Sequence, residues 1–162
     1  MTKVILYTDG AARGNPEGPG GYGSILVFED SKGIKHEKEL SCGYKKTTNN
    51  RMELMAVIAG LEALTKSCDV LVVSDSKYVT DAFNQNWIGG WQKRNWKRGK
   101  NEPVKNVDLW IRLLNAMKIH NVKFNWVKGH AGHDYNERCD FLATSAADGT
   151  NLLDDEVPEM II

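Results

Sequence analysis

The sequence has 162 residues, 41% apolar and 26% charged, enough for one domain with its own core. No apolar run reaches the length of a membrane span, so neither an anchor nor a signal peptide is expected; Cys42, Cys68 and Cys139 lack metal-type pairing, which indicates free thiols in a reducing cytoplasm. The net charge of zero, which alone would speak against a nucleic-acid partner, is a cancellation: Lys93, Arg94, Lys97, Arg98, Lys100 and Lys105 form a basic block, and Asp148, Asp154, Asp155, Glu156 and Glu159 an acidic end.

In chain order, the β-branched and apolar residues of 3–8 predict a strand, followed by a Gly/Pro-rich loop over 10–21. Residues 22–29 and 34–41 read as two strands joined at Asp30-Ser31-Lys32-Gly33, an antiparallel hairpin. Leu54, Val57, Ile58, Leu61 and Leu64 recur at helical spacing and predict a helix over 48–66. The apolar run 70–73, ending in Ser74-Asp75, is expected to be a buried central strand, with a short helix starting near Ser76. Beyond the basic block, Val107, Trp110, Ile111, Leu114 and Met117 mark a helix from Asn106, and 122–127 alternates as a strand. Asp134 and Glu137, placed as a capping box, open a last helix reaching Ala147.

Three strands, helix, strand, helices, strand, helix is the order of an α/β fold with a mixed five-stranded sheet flanked by helices. An antiparallel hairpin forms one side of that sheet, and parallel crossover strands lie beside it. Residues 1–149 form this domain, and 150–162 an acidic C-terminal tail. The tail's Leu152, Leu153, Val157, Met160, Ile161 and Ile162 either dock on the domain or fray. A sharper expectation is that its acids visit the basic block between Lys93 and Lys105 and compete weakly with phosphates.

Four carboxylates stand out. Asp9 and Asp75 end apolar strands, the edge where ligands of such sheets bind. Glu53 lies in the first turn of its helix, at the margin of the buried stripe, and Asp140 lies beside the stripe of Cys139, Leu142, Ala143 and Ala146. Gathering four acids without a cation is costly, because like charges raise each other's pKa. An all-oxygen shell suits magnesium or manganese, and two such ions can activate a water and stabilise a phosphodiester's leaving oxygen. Caps and surface residues would explain each acid singly, and spacing alone leaves both readings open.

Two other motifs are set aside. Gly18-Pro19-Gly20-Gly21-Tyr22-Gly23 fits the spacing of a dinucleotide fingerprint, but a strand follows it where a helix is required. His130, His133 and Cys139 could begin a zinc site, yet no fourth ligand lies nearby. His36 and His120 read as surface residues, and Cys42 and Cys68 as small apolar groups.

The residues around the acids form an ordered set: Tyr7-Thr8-Asp9-Gly10, Gly14-Asn15-Pro16, Gly20-Gly21-Tyr22-Gly23, Thr47 to Leu54, Ser74-Asp75-Ser76, Trp126 to His133 and Asn136 to Asp140. In this order they resemble bacterial type 1 ribonuclease H over residues 3–147. The resemblance implies the ribonuclease H-like fold and an endonuclease that hydrolyses the RNA strand of RNA–DNA hybrids with divalent metal, leaving 5′-phosphate and 3′-hydroxyl ends. It implies that Asp9, Glu53, Asp75 and Asp140 hold the metal, Mg²⁺ or Mn²⁺, as two ions with substrate bound. His130 would be the mobile proton carrier. Asn15, Thr48, Asn49 and Asn50 would line the hybrid-binding surface. The block containing Trp87, Trp91, Lys93, Arg94, Trp96, Lys97 and Arg98 would grip the DNA strand. The chain departs from the family where Glu17 interrupts the Gly/Pro loop, where Ala11-Ala12 replaces a common Ser-Cys pair, and at Lys77 in place of a common Gln.

These roles make physical sense. Asn side chains carry donors and acceptors for the 2′-hydroxyls of a wide minor groove. Tryptophans among cations suit stacking and phosphate neutralisation. Trp87 and Trp91, four apart, also fit the anchoring of a short helix; both roles hold in part, and Trp96 is the ring favoured for contact. A monomer acting on a hybrid, without a membrane, is the expected working form. Its rivals are a hybrid- or single-strand-binding module without turnover, and the integrases, transposases and resolvases of the same fold class. The former would lack a metal ligand, and the latter lack the basic block and Asn-rich helix entrance.

Overall fold

The computed structural model describes residues 1–14, 17–129 and 134–157. Three long strands come first: β1 (Thr2–Ala12), β2 (Gly18–Glu29) and β3 (Lys35–Thr47). The hairpin turn falls at Asp30 to Gly33 as expected; Gly33 takes φ +79°, and the Asp30 carboxylate accepts from the N–H groups of Lys32 and Ile34. The predicted loop 10–21 is largely ladder instead. Gly10 pairs with Tyr22, Ala11 with Gly21 and Ala12 with Gly20. Glycines and alanines carry no hydrophobic alternation, so these strand extensions leave no periodic trace.

After them come α1 (Asn49–Glu62), β4 (Cys68–Ser74), α2 (Lys77–Asn84) and α3 (Trp87–Lys93). The two-residue strands β5 (Lys97–Arg98) and β6 (Glu102–Pro103), α4 (Val107–Met117), β7 (Asn121–Trp126) and α5 (Asp134–Ala147) complete the chain. The main sheet has the order β3-β2-β1-β4-β7. β1–β2 and β2–β3 are antiparallel, and β1–β4 and β4–β7 parallel. This is the mixed five-stranded sheet expected from the element order.

Strand alternation divides the core between two faces. Val4, Leu6, Val70 and Val72 pack with Leu54, Val57, Ile58 and Leu61 of α1 and with Trp110 and Leu113 of α4. On the other face, Ile25, Val27 and Tyr7 meet Cys139, Tyr135 and Leu142 of α5. Gly23 is what lets α5 approach: a Cβ there would strike the Cys139 carbonyl and the Leu142 side chain. α1 is enclosed on nearly every side, with residues from Arg51 through Ile58 buried without a gap. The predicted single stripe therefore understates its burial, and Glu53 is buried rather than marginal. The helix also stops short of 66, at Glu62.

All three cysteines are free, Cys68 and Cys139 buried. His120 is not a plain surface residue; its Nδ1 accepts from the Cys68 N–H at 3.1 Å. Residues 150–157 run beside β3, where Leu153 N donates to Gly43 O and Lys45 N to Leu153 O. Asp154 and Asp155 of the tail are engaged away from the basic block: Asp154 lies 3.6 Å from Lys45, and Asp155 2.7 Å from Arg51. Among the described residues no helix is long and apolar enough to cross a membrane.

Candidate active site

Tyr7 pairs with Val73 across the parallel β1–β4 ladder, and Asp9 and Asp75 each follow two residues later. The two acids therefore emerge side by side where the β1–β4 ladder ends; Asp75 follows the end of β4 as expected, but Asp9 lies inside β1, opposite Gly23, because β1 runs on to Ala12 in its ladder with β2. Glu53 reaches them from α1, which lies against β1 because Gly10 has no side chain; a Cβ on Gly10 would collide with the Met52–Glu53 backbone. The Gly10 N–H donates to Asp9 Oδ1 at 2.9 Å and also to Glu53 Oε1. One oxygen each from Asp9, Glu53 and Asp75 lie within 4.8 Å of one another, the one such acidic or metal-ligating group among the described residues.

Electrostatics report the crowding. Burial first, then the neighbouring Asp75 and Asp140, push the Asp9 carboxyl up to about 7. Burial, with Asp9 and Asp75 nearby, holds Glu53 well above the usual carboxylate range. Asp140, on α5, is outside the tight group of three but close enough to act on Asp9. All donors are carboxylate oxygens, so the cluster is compatible with a hard divalent cation, whose charge would relieve the repulsion.

The surroundings hold Asp75 in place. The Trp126 indole donates to the Asp75 carbonyl at 3.0 Å, and Lys77 Nζ sits 4.7 Å from the centre of the Trp126 ring. The chain passes Asp75 so closely at Gly129 that a Cβ there would lie 2.8 Å from Asp75 Oδ2. The next residue, His130, lies outside the described residues, as does Asn15.

Beside the acids runs a groove of about 540 Å³, lined by Ala12, Gly14, Thr48, Asn49, Asn50, Lys105 and Asn106. Thr48 caps α1, its hydroxyl accepting from the Arg51 N–H at 3.2 Å. Asn49 Oδ1 accepts from the Ala12 N–H at 2.6 Å, and Asn50 is exposed. Lys105, expected only as the end of the basic block, and Asn106, absent from the sequence-based candidates, close the groove from the far side. The turn to α4 brings them there, and nothing in their spacing signals it.

The basic block folds as α3 followed by the β5–β6 ribbon. Lys93, Arg94 and Arg98 are exposed and Lys97 half-buried. Its tryptophans form a ladder from the core: Trp110, fully buried, meets Trp91 at 5.4 Å between ring centres, and Trp91 meets Trp87 at 6.3 Å and Trp96 at 6.4 Å. Trp96 is partly buried against the core, whereas Trp87, 39% exposed, is the outermost. Trp87 is therefore the most exposed ring of this ladder, where the sequence favours Trp96 for contact.

Comparison with known proteins converges on one family. The sequence profile described as RNase H matches residues 1–148. A ribonuclease H of Lachnoclostridium phytofermentans is 69% identical over 157 residues, 97% of this chain and 99% of the relative. One of Pectobacterium carotovorum is 56% identical over 94% of each chain. Among solved structures, LC9-RNase H1, a type 1 RNase H with the type 2 active-site motif, is similar with a TM-score of 0.82 and 34% identity, over 91% of this chain and 72% of that one. LC11-RNase H1 in complex with an RNA/DNA hybrid is similar with a TM-score of 0.59 and 25% identity, over 90% and 96% of the two chains.

Proposed function

This chain belongs to the bacterial type 1 ribonuclease H family, and from that premise we propose that it hydrolyses the RNA strand of RNA–DNA hybrids at a site where Asp9, Glu53, Asp75 and Asp140 hold magnesium. The observation that carries the proposal is the meeting of three carboxylates within 4.8 Å at one sheet edge. Manganese is the alternative ion, and two ions are expected with the substrate in place. Such ions supply a nucleophile at neutral pH and offset charge on the leaving oxygen, giving 5′-phosphate and 3′-hydroxyl ends.

The protein's part is to orient and to bind. The Gly10 N–H steadies Asp9 and Glu53 together. The groove at Thr48, Asn49 and Asn50 takes the hybrid's minor groove, where amides read 2′-hydroxyls, and Asn15 is assigned to the same contact by its family motif. Trp87, Trp91, Lys93, Arg94, Trp96, Lys97 and Arg98 receive the DNA strand, with Trp87 outermost. His130 moves a proton as product leaves. Residues 1–149 act as the catalytic domain with 150–162 as its tail. A monomer suffices, since one chain supplies the acids and both walls of the groove. Three free thiols fit a reducing cytoplasm.

The test is a panel of labelled substrates, hybrid, duplex RNA, duplex DNA and single strands, each with and without Mg²⁺. Cleavage confined to the RNA of the hybrid, and only with metal, is expected. Tight hybrid binding without any cleavage would favour the rival binding module.

A further inference from the structure

The tail's Asp155 is almost as buried as the core, its side chain 8% exposed, and it faces an Arg51 side chain only 5% exposed. Arg51 Nε donates to Asp155 Oδ2 at 2.7 Å and Nη2 to Oδ1 at 3.0 Å. The other side of the same guanidinium reaches α4: Nη1 donates to Asp108 Oδ1 at 2.9 Å and to Asn106 Oδ1 at 3.3 Å, and Nη2 to Asp108 Oδ2 at 2.8 Å. Thr47 Oγ1 donates a further bond to Asp155 at 2.6 Å. A guanidinium is a rigid planar fork, so seating one edge on Asp155 fixes where its other edge places Asp108 and Asn106.

Both walls of the groove hang on this fork. Arg51 belongs to the first turn of α1, and its own N–H holds the Thr48 cap. Asn106 forms the opposite wall, held from the other end by Nδ2 donating to the Tyr78 hydroxyl at 3.1 Å. We infer that Asp155 is a positioning residue for substrate: the C-terminal segment, clipped to β3 at Leu153, straps Arg51 so that the walls of the groove keep the spacing a hybrid needs. The inference rests on the reading that this groove takes the hybrid. It makes the tail part of the binding apparatus by way of Arg51 and Asn106, without contact to the nucleic acid.

A clasp that merely stabilises the fold would lower the melting temperature of an Asp155 variant and leave KM alone. The experiment therefore uses the full chain and measures kcat and KM for a labelled hybrid well below the melting point. The variants are Asp155→Asn, Thr47→Val, Asn50→Ala and Asn106→Gly, with the double variant Asp155→Asn/Asn106→Gly. Glycine is chosen at 106 because Asn106 has φ +62°. Asp155→Asn should raise KM about three- to tenfold, the net worth of one polar interaction, with kcat little changed. In the Asn106→Gly background it should raise KM no further. Thr47→Val, which keeps every charge, should raise KM in the same direction by less, and it carries the test if Asp155→Asn does not fold. Asn50→Ala reads the groove alone. If it raises KM while both strap variants leave KM unchanged, the strap is overturned and the groove stands. If Asn50→Ala leaves KM unchanged, the groove reading fails and takes the strap with it. Independent, multiplying effects of Asp155→Asn and Asn106→Gly would also overturn the strap.

Discussion

Asp9 shows what crowding carboxylates together does to a single residue. Burial and the nearby Asp75 raise its carboxyl to about 7 from an ordinary 3.8. A raised acid favours the folded state only while protonated. Its penalty is absent below about pH 4, grows as pH rises through 7 and is full above that. Asp9→Asn is therefore expected to melt higher than the wild type in the absence of metal at pH 8, with the gap closing toward pH 4. The same variant should lose Mg²⁺-dependent cleavage by at least about 100-fold, since even outer partners of metal ligands are worth roughly 10–100-fold. Calorimetric scans across pH, paired with hybrid cleavage assays, check both halves. Equal melting at pH 8 or near-normal turnover would remove Asp9 from the site. For His130→Ala the expected loss is in kcat, about 10²–10⁴-fold at most, with KM near that of the wild type. A changed KM with normal kcat would make His130 a contact residue. Asp9 and Asp75 each follow an apolar run, which alone left a cap or surface role open; the motifs around them, not their spacing, singled them out. Glu53 was legible only in kind: its burial comes from β1 closing over α1 at Gly10, which no spacing within the helix reveals.

At the scale of elements, the basic block departs most from its sequence. It carries left-handed residues at Asn86, Asn95, Trp96, Asn101 and Asn106, which break it into α3, a two-strand ribbon and the start of α4. Asparagine tolerates that conformation better than most residues, so the breaks were written in the chain but unreadable from hydrophobic period. The tryptophan ladder has the same character. Four-residue spacing identified Trp87 and Trp91 as helix anchors, but only the packing on Trp110 separates the inner rings from the outer one. Trp87→Ala should accordingly raise KM with little change in melting temperature, whereas Trp96→Ala should lower the melting temperature. Lys97→Ala with Arg98→Ala should raise KM and leave kcat if, as proposed, these charges meet phosphates away from the chemistry. Each lost phosphate contact should flatten the log–log salt dependence of binding by somewhat under one unit. An unchanged slope would show that the block does not grip the backbone.

Across the whole molecule, the order of strands and helices carried the sheet topology, because short connections and right-handed crossovers leave few alternatives. Contacts between distant segments were not legible. Arg51, Asp108 and Asp155 come from α1, α4 and the tail, and their buried meeting has no local signature. Burial alone would raise Asp108, yet the Arg51 guanidinium holds it below the ordinary range. Stability from that pair is thus full above about pH 4 and lost as pH falls through the depressed value. Arg51→Met leaves two largely buried acids without their guanidinium and should cost up to about 3–5 kcal/mol, roughly 10 °C in melting temperature at neutral pH and less in acid. A variant melting like the wild type at pH 7 would deny the clasp its weight. Whether the carboxylate cluster works by divalent metal on the RNA of a hybrid is decided by the ends it leaves. A hybrid with labelled RNA is cleaved across a titration of Mg²⁺ into chelator-treated protein, and both new termini are mapped. No cleavage is expected without the ion, then 5′-phosphate and 3′-hydroxyl ends; metal-independent cleavage leaving 2′,3′-cyclic phosphate, the mark of attack by the RNA's own 2′-hydroxyl, would contradict a metal-dependent site.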